Sequence, residues 1–228
     1  MSALDLTAVD TVMFDLDGTL VDSMDCYYAV FVEAFTEHGL PLVERSELLR
    51  LMSNGRNILE VLIPGDWPER EAVTERCRER FRGLWEERSL TDIVLHPQVE
   101  PTLRELHSHG LTLGLATAAR GPWIMHVLET QGVAGYFGAI VTHADVQARK
   151  PAPDLLFECL RRLSGDPGRS LYVGDSPIDI IAAKSAGVRP IGVLSGASSR
   201  SALEEQGPEL ILDHVGQLPA VLLKRGRG

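Results

Sequence analysis

Apolar residues along the chain follow two rhythms. Val9–Asp15 is a short apolar run that ends at acids and a glycine, which predicts a buried strand stopping where polar chemistry begins. Beyond it Tyr27, Val30, Phe31, Ala34 and Phe35 recur at helical spacing until Pro41 closes the segment. Helical patterns follow at Arg45–Met52, Arg56–Leu62 and Glu69–Arg88, the last dense in Glu and Arg one turn apart. No strand pattern appears across Ser23–Arg88. After His96 the rhythm changes. Strand patterns at Leu111–Thr117, Ala139–Thr142, Ser170–Gly174 and Arg189–Val193 alternate with helical ones at Pro101–His109, Trp123–Gln131, Asp154–Leu163 and Pro177–Ala186. Gly110, Gly132 and Gly187 sit where helix C-caps are expected. A weak strand at Glu209–Leu212 and a helix at Val215–Leu223 complete the pattern. The alternation predicts an α/β fold: a doubly wound parallel, Rossmann-like sheet with an all-helical cap inserted after the first strand. Residues 1–20 and 94–228 would form the core and 21–93 the cap, with crossings near Val21 and Ile93 as hinges.

Composition narrows the function classes. A chain of 228 residues buries enough surface to fold without a disulfide or metal staple. Its 44% apolar and 24% charged residues exclude disordered and collagen-like classes. The net charge of −10, and a cap region with more acids than bases, argue against a nucleic-acid partner. Cys26, Cys77 and Cys159 are scattered and odd in number, the pattern of reduced thiols. Met1–Asp10 has no basic residue, so a secretion signal is not expected. No apolar run approaches the ~20 residues that span a bilayer. The expectation is a cytoplasmic monomer or homodimer with no membrane partner.

Ligands of open α/β sheets bind at the carboxyl ends of strands. The first strand ends in Asp15-Leu16-Asp17-Gly18-Thr19, the second strand pattern in Thr117, and Lys150-Pro151 follows the third. The fourth runs into Gly174-Asp175-Ser176-Pro177-Ile178-Asp179. Four acids, a hydroxyl and an ammonium would converge at one edge. Such carboxylates repel one another, and a hard divalent cation removes the conflict. Oxygen donors without a Cys or His cluster favour Mg²⁺ over zinc. A lysine and a hydroxyl beside Mg²⁺ suit a phosphoryl group, with one aspartate as nucleophile and another, two residues on, as general acid and base. Each residue also has a plainer reading: Asp as turn former, Asp179 as the partner of Ser176 in a capping box, Lys150 as a solvated loop charge. Their order at successive strand ends outweighs those readings. Nucleotide-cradling glycine motifs are absent. His107 and His109 would face different sides of a helix, and Trp67, Trp85 and Trp123, far apart in sequence, read as packing residues.

Taken together these strings resemble the four motifs of the haloacid dehalogenase superfamily, and the insert after the first motif is similar to its helical-cap branch, which includes phosphoglycolate phosphatases. The resemblance implies a Mg²⁺-dependent phosphatase of a small phosphorylated metabolite, acting through an aspartyl-phosphate. Asp15 would be nucleophile and metal ligand. Asp17 would give its main-chain carbonyl to the metal and its side chain to acid–base work. Thr117, Ala118 and Lys150 would bind phosphate, Asp175 the metal, and Asp179 would support the metal or Lys150. Asp17 disfavours halogen-carbon hydrolysis, where the second aspartate is lacking, and the lysine-free cap disfavours phosphonate cleavage through a Schiff base. Sugar phosphomutases of this branch carry a histidine where Tyr27 stands, and many phosphatases carry asparagine where Ala118 stands. Arg56, in the polar segment Ser53-Asn54-Gly55-Arg56, is a candidate clamp for a second anionic group of the substrate. A sugar phosphomutase and a phospho-acceptor receiver module are the alternatives.

Overall fold

The computed structural model describes residues 8–223. Most of Met1–Asp10, and with it most of the segment bearing on a secretion signal, lies outside the described residues.

Strand β1 (Thr11–Phe14) leads to the two-residue β2 (Val21–Asp22) and then to helices α1 (Met24–Glu37), α2 (Arg45–Ser53), α3 (Ile58–Leu62) and α4 (Arg70–Arg88). The chain returns through β3 (Val94–Leu95), which pairs antiparallel with β2. It continues as α5 (Val99–Ser108), β4 (Thr112–Ala116), α6 (Trp123–Thr130), β5 (Phe137–Val141), α7 (Asp154–Leu163) and β6 (Ser170–Gly174). Helix α8 (Pro177–Ser185), β7 (Arg189–Val193), α9 (Arg200–Glu204), β8 (Leu210–Leu212) and α10 (Leu218–Leu222) finish it. The six-stranded sheet is parallel throughout, in the order β5-β4-β1-β6-β7-β8. The chain therefore reverses its direction of travel at β1, and the crevice of such a sheet opens there, beyond the strand ends.

Side chains of β1 alternate between the two faces. Val12 and Phe14 join Leu113, Leu115, Leu171 and Val173 on one face, and the same apolar cluster runs into Val30, Phe31, Phe35 and Leu48 of the inserted helices. Met13 joins Ala116, Val141, Leu156 and Tyr172 on the other, under α7 and α8. Full burial of Phe31 and Phe35, whose rings lie 4.3 Å apart, contributes about 1.5–3 kcal/mol each. The exposed pairs of Arg80 with Glu33 and Glu37 add at most about 1 kcal/mol apiece, so apolar packing holds α1 on α4.

The Glu–Arg spacing of α4 is used only in part. Arg78 pairs with Glu75 one turn away, whereas Arg80 and Arg88 reach across to α1, because that face of α4 packs on α1 and brings Glu33 and Glu37 within range. Helix α9 and the β2–β3 pair carry no strong hydrophobic rhythm and were not expected. Among the described residues no helix is long and apolar enough to cross a membrane.

Candidate active site

The turn after β1 sets the site. The Leu16 carbonyl accepts the N–H groups of Thr19, Leu20 and Val21 at 3.2, 2.8 and 3.0 Å, so the backbone folds back on itself immediately beyond Asp15. Gly18 takes φ +72° in this turn, and a Cβ there would stand 2.8 Å from both Asp175 Oδ2 and Gly196 Cα. Both constraints demand glycine. The turn therefore lies against the loop after β6, which carries Asp175.

Asp15 is buried and ion-paired at 2.8 Å with Lys150 Nζ, whose other partners are Asp179 Oδ1 at 2.6 Å and the Tyr172 hydroxyl at 3.1 Å. Tyr172 itself donates to the Ala116 carbonyl at 2.7 Å. Asp179 lies in the first turn of α8, and its second oxygen accepts the Ser176 N–H at 3.0 Å and the Ser176 hydroxyl at 2.5 Å. Asp175 Oδ2 accepts the Ala197 N–H at 2.8 Å. Carboxylate oxygens of Asp15, Asp175 and Asp179 all lie within 4.8 Å of one another. Burial pushes the Asp15 carboxyl up to about 7, opposed by Lys150 and reinforced by Asp179. Burial likewise raises Asp17, and it holds Asp175 well above the usual carboxylate range with Asp179 and Asp15 adding to the effect. Burial alone would lower Lys150, yet Asp15 and Asp179 keep its ammonium well above the ordinary value.

This donor set fits a divalent cation. Three carboxylates crowd against one ammonium, every available donor is oxygen, and burial makes the surplus negative charge costly. Both oxygens of Asp179 are already engaged, which leaves Asp15 and Asp175 as the side chains best able to hold the ion.

Asp15, Lys150 and Asp175 line a cleft of ≈ 890 Å³ between the sheet edge and the inserted helices. Asp17, Thr117, Ala118 and Arg56 all line it. Thr117 is buried, its N–H bound to the Val141 carbonyl at 2.9 Å and its hydroxyl accepting from the Ala119 N–H at 3.0 Å. Arg56 is exposed on the opposite wall, its side chain without a polar partner among the described residues. The site residues singled out by sequence thus share one cleft except Asp179, which is fully buried and bonded to Lys150.

Several contributors escaped the sequence reading. Tyr172 lies inside a strand pattern, where inward alternation gave it only a packing role. Ser195, Gly196 and Ala197 follow β7, a strand end not considered for chemistry, although its place beside β6 was the available signal. Ser195 donates to the Gly18 carbonyl at 2.8 Å, and a Cβ on Gly196 would stand 2.0 Å from Asp175 Oδ2. Trp85 of α4 and Trp123 of α6, distant in sequence, meet edge to face at 5.7 Å in the lining of the cleft.

A capped, doubly wound hydrolase with an aspartate–lysine centre at its switch point is what this arrangement defines. Residues 12–193 match the haloacid dehalogenase-like hydrolase family, and the chain belongs to it. It is 34% identical to the phosphoglycolate phosphatase of Yersinia pseudotuberculosis, over 94% of each chain. It is 32% identical to that of Escherichia coli, over 91% of this chain and 90% of that one. Among solved structures it resembles CbbY from Rhodobacter sphaeroides in complex with phosphate, with a TM-score of 0.70 and 25% identity over 94% of this chain and 99% of that one.

Proposed function

We propose that the protein is a Mg²⁺-dependent cytoplasmic phosphatase that hydrolyses a small phosphate monoester through a phosphoryl group carried on Asp15. The observation that carries this reading is the buried Asp15 carboxyl at the sheet's switch point, 2.8 Å from Lys150 and grouped with Asp175. The three cysteines, all free, accord with a reducing compartment.

In this reading an Asp15 carboxylate oxygen attacks phosphorus and the bond to the leaving oxygen breaks. Asp17, whose carboxyl burial keeps raised, gives that oxygen its proton. Water then attacks the aspartyl-phosphate, Asp17 takes a proton from it, and inorganic phosphate departs with the Asp15 carboxylate restored. Lys150 and Thr117 hold the phosphoryl oxygens, together with the backbone at Ala118. Asp179 positions Lys150 rather than touching substrate. Asp15, Asp175 and the Asp17 main-chain carbonyl would hold Mg²⁺, which when bound neutralises charge on the transferring group.

Phosphoglycolate is the first candidate substrate, on the strength of the relatives' names, with Arg56 placed to meet a second anionic group. Tyr27 supports hydrolysis over a mutase reaction. Its phenol, raised by burial and by Asp17, is no base near neutral pH, and its ring packs on Phe81 and Trp85. The test is Mg²⁺-dependent phosphate release from a panel that includes phosphoglycolate. Asp15→Asn should lower turnover roughly 10⁴–10⁶-fold with an unchanged circular dichroism spectrum. Retained activity would move the nucleophile elsewhere.

A further inference from the structure

Arginines on this protein's outer surfaces are mostly paired: Arg104, Arg161, Arg162 and Arg169 all meet carboxylates. Most of those lining the cleft differ, Arg78 with its partner Glu75 being the exception. Among the described residues no carboxylate pairs with Arg56, Arg82, Arg120 or Arg149. Arg120 and Arg149 belong to the sheet side. Arg120 stands three residues after Thr117, and Arg149 immediately precedes Lys150, so the loops that carry the phosphate-binding candidates also carry this pair.

The two loops are tied together. The His143 N–H reaches the Ala119 carbonyl at 3.4 Å, and Arg149 Nε donates to His143 Nε2 at 3.2 Å. That bond needs a neutral imidazole. Burial, with Arg120 and Arg149 adding their charge, lowers the His143 pKa and keeps it so. Trp123 Nε1 donates to the Arg120 carbonyl at 2.8 Å and fixes the other loop. Arg149 keeps its terminal nitrogens free while its stem is braced. Burial and the Arg149 charge both pull the Arg120 guanidinium below its ordinary value. Two cations held near each other at the rim of a phosphate site, with no acid between them, form an unfilled receptor for an anion.

We propose that Arg120 and Arg149 form a second anion subsite, and that the substrate is a small phosphate monoester whose leaving group carries a further carboxylate or phosphate. This deepens the phosphatase reading and rests on it. The subsite sits on the same rigid loops as Thr117 and Lys150, so the distance between reacting phosphorus and second anion is set by the sheet edge, independently of the inserted helices. Arg56 and Arg82 would face the same group from the other wall.

The test compares three substrates at saturating Mg²⁺: a phosphorylated hydroxy-carboxylate such as phosphoglycolate, a short-chain bisphosphate, and ethyl phosphate, whose leaving group is neutral. Arg120→Ala and Arg149→Ala should each lower kcat/KM about 10- to 100-fold for a substrate with the matching second anion, chiefly through KM. The loss on ethyl phosphate should stay below about threefold. Whichever of the carboxylate and bisphosphate shows the larger differential loss names the anion. Arg149→Lys should recover part of the loss, because the charge survives and the fork does not. Equal losses on all three substrates, with melting temperatures unchanged, would overturn the subsite and place these arginines on the reacting phosphoryl group. Absence of Mg²⁺-dependent turnover of every substrate by the unaltered protein would instead overturn the phosphatase reading, which separates the two failures.

Discussion

The two walls of the cleft are built on opposite terms. On the sheet side Lys150, Asp175 and Asp179 are 7%, 4% and 0% exposed, and each is held by bonds to side chains or backbone of neighbouring strand ends. On the helical side Arg56 and Arg82 are exposed and have no carboxylate partner among the described residues, and Tyr27, Phe81 and Trp85 supply a half-buried aromatic surface. The contrast teaches where each task resides. The groups proposed to meet phosphorus are locked by a buried network, as preorganised chemistry requires. In the proposed reading the remainder of the substrate is met from both sides, by Arg120 and Arg149 on the rigid loops of the sheet edge and by Arg56 and Arg82 on a wall that can be resurfaced without disturbing the buried network.

The comparison predicts that damage to the buried acids of the sheet wall lowers the rate on every substrate, with or without a second anion. Asp17→Asn removes the group proposed for proton transfer and should lower kcat about 10²–10⁴-fold on alkyl phosphates, and by less on p-nitrophenyl phosphate, whose leaving oxygen needs no proton. A loss under tenfold would assign the proton to another group. Gly196→Ala is a gentler intrusion on the same wall. Its methyl would stand 2.0 Å from Asp175 Oδ2 and 2.4 Å from Asp175 Cγ, so the carboxylate must shift. The Mg²⁺ concentration for half-maximal activity should rise about 10- to 100-fold, the usual scale for a disturbed ligand support. Unchanged Mg²⁺ dependence with normal stability would remove Asp175 from the metal site.

How much of this was legible before the structure divides along the same line. The sheet strands and their helices were readable because each apolar run is short and is separated by an amphipathic helix. Ser170–Gly174, Arg189–Val193 and Asp154–Leu163 fall where the pattern places them. Asp15, Lys150 and Asp175 could be grouped because parallel strands bring their carboxyl ends to one edge. Tyr172 could not, since a strand pattern says which face a residue takes but not that its hydroxyl meets a lysine 22 positions earlier. The Trp85–Trp123 contact was hidden for a related reason. It depends on how the inserted helices lie over the sheet, and that angle is set by the packing of many side chains rather than by any local spacing.

That contact gives the smallest and most discriminating test. Trp85 meets Trp123 edge to face, with ring centroids 5.7 Å apart and planes at 86°, and Tyr27 packs on its other side at 5.6 Å. Such an aromatic pair contributes about 0.5–1.5 kcal/mol beyond its buried area. Trp85→Ala loosens the join between the walls while leaving Trp123 bonded to the Arg120 carbonyl. KM should rise about 2- to 10-fold, the kinetic equivalent of that energy, and kcat should change less. Trp123→Ala in the same background should then cost less than it does alone, because the shared contact is already gone. A fall in kcat as deep as that of Asp17→Asn, equal across substrates, would place Trp85 among the groups that fix the reacting atoms. The helical wall would then be part of the chemistry, since an aromatic edge on α4 would be governing proton transfer at the end of β1.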